Sequence, residues 1–254
     1  MADKQAALDR ALDEEEDLLL FYQPIHDART REIIAAEALL RQRRESGEIR
    51  EATIITEAAE DAPRKDLFAL DSIVVDKAFR GAARWQQRAP QVRLHVNLSP
   101  REFQEGNVLA RLTKLVSGCG IDTKRLAVEI TETSYIEQPD LTMEILGELK
   151  KLGIQLWLDD FGTGHSTLTH LQKFPVDGIK IPGEFVSCIE ENKRCRAITK
   201  ALITVTHEIG AKVIAEGVEH EKQRESLMRW GCDFIQGFLF SKPMTLDKLE
   251  TTLR

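Results

Sequence analysis

Short apolar runs punctuate this chain, and each ends on a polar or charged residue. LLLFYQ stops at Gln23, IIAAE at Glu37, VRLHVN at Asn97, LAVE at Glu129, IQLWLDD at Asp159 and Asp160, KVIAE at Glu216 and DFIQ at Gln236; a weaker run, VDGIK, stops at Lys180. Runs this short predict buried strands. From about residue 90 onward the segments between them read as helices that stop at Cys119-Gly120, Leu152-Gly153, Ile209-Gly210 and Trp230-Gly231. Glycine belongs just past a helix C-terminus, before the turn into the next strand. The alternation predicts an α/β fold, a TIM-like (β/α)8 barrel whose functional groups crown the carboxyl ends of its strands.

The N-terminal third departs from this rhythm. Residues 50–88 are helical in pattern without a convincing strand, so two helices are expected between the second and third strands. The first strand is short and runs into the turn Asp27-Ala28-Arg29-Thr30, which allows antiparallel pairing with the second. Residues 1–17 read as a polar lead-in helix, and RQRRESGEIR (41–50) as a solvated connection. No internal repeat, low-complexity tract or linker interrupts the chain, so residues 1–254 are expected to form a single domain.

Composition narrows the class. At 254 residues and 42% hydrophobic, the chain is long enough for one large core of barrel size. Cys119, Cys188, Cys195 and Cys232 form no CxxC pair and no zinc spacing, which predicts reduced thiols in a cytoplasmic protein. With no 18-residue apolar stretch and no basic-then-apolar leader in the sequence, neither a membrane span nor a secretory signal is expected. A net charge of −7 argues against a nucleic-acid polymer as partner. For a phosphate ester as ligand, cations must bridge the two like charges.

The strand-end residues supply the chemistry. A lone glutamate at a strand end is most often solvated, but Glu37, Glu129, Asp159, Asp160 and Glu216, together with Asn97, are expected at one mouth. Without cations such groups repel one another and take up protons. An oxygen-rich set without sulfur suits hard divalent ions, Mg²⁺ or Mn²⁺, and adjacent Asp159 and Asp160 can serve two neighbouring ions that clamp an in-line displacement. Phosphodiester hydrolysis is the reaction this predicts. Ca²⁺, larger and looser in geometry, is expected to bind but to support hydrolysis poorly. His26 is placed in a turn, and His95, His165, His170, His207 and His220 share no metal spacing and read as structural or solvated. Trp85, Trp157 and Trp230 read as core, and Ser166 lacks a nucleophile's partners.

The strings YQPI (22–25), EALLR (37–41), VNLSP (96–100), EITET (129–133), DDFGTG (159–164), IKI (179–181), EGVE (216–219) and QGF (236–238) occur in one order across nearly the whole chain. Together they resemble the motif series of EAL-domain cyclic di-GMP phosphodiesterases. The resemblance implies hydrolysis of cyclic di-GMP to linear pGpG in bacterial signalling. It implies that Glu37, Asn97, Glu129 and Asp159 bind a first metal, that Asp160 serves a second, and that Asp159 bridges both. Lys180 and Glu216, with Glu37, become the catalytic group that orients or activates water, whose pKa metal coordination lowers. Gln23, Arg41, Glu219 and Gln236 become the substrate-binding group, Arg41 through a charge-assisted bond to phosphate. DFGTGHSTL (160–168) resembles the family's mobile loop, with Gly162 and Gly164 at unusual backbone angles, Glu132 as the loop anchor, and a homodimer as its partner arrangement.

Two positions depart from that pattern. Pro182 stands where the family usually has Asp after Lys180-Ile181, and His165 where Tyr is common. Loss of that aspartate predicts that Lys180 leans on Asp160 and on metal-coordinated water. Two other classes compete with the enzyme: a catalytically weak or inactive cyclic di-GMP receptor or protein-binding module, and a generic barrel metallohydrolase for another phosphodiester. Such receptors typically lack an acidic ligand, and this chain retains them all.

Overall fold

The computed structural model of the chain describes residues 2–99, 108–131, 139–162, 171 and 174–253. Its strands are β1 (Leu18–Asp27), β2 (Ile33–Arg43), β3 (Ile49–Glu51), β4 (Arg93–Asn97), β5 (Leu126–Thr131), β6 (Gln155–Asp159), β7 (Gly178–Ile181), β8 (Lys212–Ala215) and β9 (Phe234–Ile235). The sheet order β1-β9-β8-β7-β6-β5-β4-β2-β3 closes through β1–β2 pairing, which makes an eight-stranded barrel with β3 as an outlying ribbon. Strand β1 is antiparallel to both of its neighbours, and every other barrel pairing is parallel. The expected TIM-like barrel with an antiparallel first strand is thus observed.

Helices α1 (Ala2–Asp13), α2 (Thr53–Asp61), α3 (Arg64–Gln86), α4 (Val108–Cys119), α5 (Pro139–Lys151), α6 (Gly183–Ser187), α7 (Lys193–Glu208), α8 (Glu221–Arg229) and α9 (Leu246–Thr252) surround it. Two helices, α2 and α3, do separate the second and third barrel strands. Phe79, Trp85, Leu112, Leu146 and Leu149 join the outward faces of β4 to β6 in one apolar cluster. Ile203 and Leu227 bury against the β7 to β9 side. Gly120, Gly153, Gly210 and Gly231 all take positive φ, as the helix-stop reading requires. Asn192 caps α7 by accepting from the backbone N–H groups of Arg194 and Cys195.

Three expectations are corrected. Residues 41–50 are largely exposed, as expected, but form a β-hairpin rather than a plain connection, because β2 continues to Arg43 and turns through Gly47 into β3. His26 lies in β1, its ring bonded to the Arg31 carbonyl and the Ser241 hydroxyl. Cys188 and Cys195 form a disulfide, since the turn from α6 into α7 brings their Cα atoms to 5.9 Å, while Cys119 and Cys232 remain free thiols. That proximity belongs to the turn and leaves no trace in the cysteine spacing.

Inside the barrel the period of two in each strand builds two layers. The floor consists of Ile25, Ala35, Ala127, Trp157 and Ile214, with Phe234 against it. One rung higher, the same strands present Gln23, Glu37, Glu129, Asp159, Glu216 and, from the end of β9, Gln236. Trp157 fits because its neighbour in register, Gly178, has no side chain, and a β-carbon there would overlap the indole. Gly178→Ala is therefore expected to cost about 1–3 kcal/mol by overpacking, read as a lower urea midpoint. Gly147→Ala in α5, where an added β-carbon meets nothing within 4 Å, should hold or raise the midpoint. Equal midpoints for parent and Gly178→Ala would refute the floor packing described.

Candidate active site

The charged layer is centred on Lys180, third residue of β7 and only 1% exposed. Its Nζ lies 2.8 Å from Glu129 Oε2, 2.8 Å from Glu216 Oε1, 3.3 Å from Asp159 Oδ1 and 3.4 Å from Glu37 Oε2. Four strands aim carboxylates at one ammonium. Asn97 donates to Glu37 Oε1 at 2.9 Å, and Gln236 donates to Glu37 Oε2 at 2.7 Å and to Gln23 Oε1 at 3.3 Å. Gln23 in turn donates to the Ser241 carbonyl. Both Glu37 oxygens are therefore fixed.

Of these, Gln23, Glu37, Asp159, Lys180, Glu216 and Gln236 line a cleft of about 410 Å³ together with Leu39, Asp160, Glu219 and Phe238, whereas Glu129, beneath Lys180, and Asn97 do not line it. Glu219 is set on the rim by its backbone N–H, which donates to Gln223 of α8. Gly217 shapes the same rim: its φ is +63°, and a β-carbon would lie 2.9 Å from the Gly183 Cα, so the loops after β7 and β8 touch only because neither glycine has a side chain. Asp160 also takes a left-handed φ of 51°, and its N–H donates to Asp159 Oδ1 at 2.9 Å. Gly162 has φ +97°, as expected of the loop, whereas Gly164, His165, Ser166 and His170 lie outside the described residues.

Strand-end reading located most of these residues but not their depth. Gln23 and Glu37 are mid-strand: β1 runs the opposite way, β2 continues six residues past Glu37, and the two pair directly in register. Arg41 shares the Glu37 and Leu39 face of β2, yet its guanidinium donates to the Leu40 carbonyl and lies 3.7 Å from Glu51, so it does not line the cleft. Glu132 falls outside the described residues. The ion pairs of Lys180 run to Glu37, Glu129, Asp159 and Glu216, and its charge also reaches Asp160. Pro182 instead starts α6, its carbonyl accepting from the Phe185 and Val186 N–H groups. His95, read as structural or solvated, is structural: it is fully buried, with Nδ1 2.7 Å from Glu129 Oε1. Its place in VRLHVN, one rung below Asn97, was the available signal.

The charges do not balance. Burial works to raise the Glu37 carboxyl, but Lys180, Gln236 and Asn97 hold it below its usual range. Burial and the Glu37 charge push Glu129 well above its usual range. Glu216 is pushed up to about 7 by burial, opposed by Lys180 and reinforced by Asp159 and Glu37. Asp160 is raised by burial and by Asp159. Burial and the nearby Lys180 ammonium keep His95 neutral, far below its ordinary value. Carboxylate oxygens of Asp159, Asp160 and Glu216 all lie within 4.8 Å of one another, so this hard, negatively overfilled donor set fits a cation.

The decisive comparison is the family match: the family model described as EAL domain covers residues 5–243. This chain belongs to the EAL-domain family. Similar members include the signaling protein YkoW of Bacillus subtilis, 31% identical over 237 residues, covering 93% of this chain and 29% of that protein. Another is the cyclic di-GMP phosphodiesterase PdeR of Escherichia coli, 33% identical over 238 residues, covering 93% and 35% respectively. The chain thus spans about a third of the length of these curated relatives. Among solved structures, that of PaMucR phosphodiesterase in complex with c-di-GMP superposes with a TM-score of 0.89 at 29% identity, over 96% of this chain and 99% of that one.

The Glu216 proton gives a test of the site's electrostatics. A carboxyl raised from 4.5 to about 7 binds its proton more tightly in the folded chain. Its contribution to stability is complete below the unfolded value and is lost as pH rises through the folded one. In EDTA, the parent's urea midpoint should therefore fall relative to that of Glu216→Gln between pH 4.5 and 7, and saturating Mg²⁺ should reverse the parent's fall. Parallel curves across that window would contradict the electrostatic description.

Proposed function

We propose that this EAL domain is a cyclic-guanylate-specific phosphodiesterase that hydrolyses cyclic di-GMP to linear pGpG, using Mg²⁺ or Mn²⁺, most simply as two ions. The observation that carries the reading is the Lys180 ammonium set among four carboxylates, beside the Asp159, Asp160 and Glu216 oxygens, in one open cleft. Two comparisons support the choice of substrate: PdeR is named for this activity, and the PaMucR domain is in complex with c-di-GMP. A receptor without turnover is disfavoured, because the acidic groups expected of the enzyme are present and Glu37, Glu129, Asp159 and Glu216 converge on Lys180.

Glu37, Asn97, Glu129, Asp159 and Asp160 are the residues assigned to the metals. Bound there, divalent cations supply charge neutralisation for the phosphodiester and acidify water. The chain's own groups do the rest. A water oxygen forms a bond to phosphorus, the P–O3′ bond breaks, and the proton released by water is balanced by one gained at O3′. Lys180, fixed as an ammonium, orients the nucleophile and stabilises its developing charge, with Glu216 as the adjacent proton acceptor. Gln23, Glu219 and Gln236 hold the nucleotide from the cleft wall. Arg41 joins them once its guanidinium turns from the Leu40 carbonyl toward phosphate. Glu132 anchors the loop after β6 in the same reading, which also includes residues 1–254 as one EAL domain, a homodimer and the bacterial cytoplasm. Among the described residues no helix is long and apolar enough to cross a membrane.

Turnover should appear only with added Mg²⁺ or Mn²⁺, vanish on exhaustive chelation, and be poor with Ca²⁺. Cyclic di-GMP should be hydrolysed in preference to linear pGpG and to an aryl phosphodiester. Full activity in EDTA would sink the mechanism, and preference for the aryl ester would favour a generic hydrolase.

Two substitutions separate the roles on the Glu37 network. Glu37→Ala should lower kcat by about 100-fold or more, since a ligand and a Lys180 partner go together. Gln236→Ala should raise KM by about tenfold, roughly the worth of one ligand hydrogen bond. It should also lower kcat modestly, because it frees Glu37 Oε2. Equal, small losses in both variants would show the assignment to be wrong.

A further inference from the structure

We propose that His95 is a positioning residue for Glu129: its imidazole locks one carboxylate oxygen below the cleft so that the other faces Lys180 and the metal-binding oxygens. The inference rests on the metal-dependent reading above and adds a residue that no motif match assigned. His95 pairs in register with Glu37 on one side and Ala127 on the other, on the rung occupied elsewhere by Ala35, Ala127, Trp157 and Ile214. It is fully buried, and its ring lies 5.3 Å from that of Trp157. A polar side chain in such apolar surroundings is costly unless it is hydrogen-bonded. Its Nδ1 bond to Glu129 at 2.7 Å supplies that reason.

Geometry also selects the tautomer. Among the described residues, Nε2 is buried with no hydrogen-bond partner, so a proton there would be stranded, whereas a proton on Nδ1 is donated to Glu129. Glu129 is fully buried and is gripped at both ends: Oε1 by His95, Oε2 by Lys180 at 2.8 Å. Without the imidazole, Oε1 would face the apolar floor unpaired, and the carboxyl would turn to find another donor. That turn moves Oε2 away from Lys180 and out of the carboxylate cluster around it. An outer hydrogen bond to a metal ligand tunes affinity in this way, typically by about 10–100-fold.

Mn²⁺ binding to the full chain, followed by isothermal titration calorimetry and by the loss of free-ion EPR signal, reads this directly without turnover. His95→Leu, which fills the space without a donor, should weaken Mn²⁺ binding by about tenfold or more. His95→Asn, whose amide nitrogen can take the place of Nδ1, should restore affinity to within about threefold of the parent. A role in packing alone predicts the opposite pattern, a lower melting temperature in His95→Leu with unchanged Mn²⁺ affinity, and that result would overturn the proposal. Should His95→Leu fail to fold, His95→Asn against His95→Gln decides, because glutamine carries the same amide one methylene too far. Tight binding by Asn and weak binding by Gln supports the role, and equal affinities overturn it. Failure of the parent itself to bind Mn²⁺ would strike the metal reading instead, an outcome distinguishable because no variant is involved.

Discussion

One buried ammonium organises this molecule. Lys180 is 1% exposed and faces Glu37, Glu129, Asp159 and Glu216. An unpaired lysine at that depth would shed its proton, and the carboxylates without it would repel one another into neutrality. Each sign makes the other tolerable. The balance is still unequal, four carboxylates to one cation, and the strain shows in the raised carboxyls of Glu129, Glu216 and Asp160. Excess negative charge held in place by the fold is what a divalent ion would relieve, so the electrostatic cost of the site and the metal binding proposed for it are two aspects of one arrangement.

The barrel is the device that makes this arrangement rigid. Parallel strands in register bring one residue from each strand to a common height, and the period of two places an apolar rung directly beneath. Trp157 fills the floor because Gly178 makes room for it, and the floor keeps water from reaching the ammonium from below. The antiparallel β1 lets Gln23 meet Glu37 side by side, and Gln236, just past the neighbouring strand β9, closes that chain of hydrogen bonds from the other side of β1. Removing any one partner leaves a buried polar atom unpaired, so the network behaves as a unit.

His95 shows how floor and charged layer communicate. It occupies an apolar rung but spends its one N–H on a carboxylate above, tying the packing around Trp157 to the position of Glu129. The disulfide between Cys188 and Cys195 is a different kind of constraint, closing the α6–α7 turn at the surface away from this network.

Periodicity and spacing alone determined a good deal: the alternating strands and helices, the two helices before β4, the glycine helix stops, and the polar residue that each inner strand contributes. Those features are local, written in hydrophobic runs of period two, in turn chemistry, and in which residue follows each run. Ordered motifs, likewise local, pointed to the family. Only the tertiary structure decided depth and partnership. Glu37 lies mid-strand because β1 and β2 extend beyond the barrel rim, Arg41 is held by the Leu40 carbonyl and Glu51, and Lys180 is gripped most closely by Glu129 and Glu216. The pairing of Cys188 with Cys195 and of His95 with Glu129 was hidden for the same reason. Hydrogen bonds, ion pairs and burial depend on distances between segments remote in sequence, and closure of the barrel is what sets those distances.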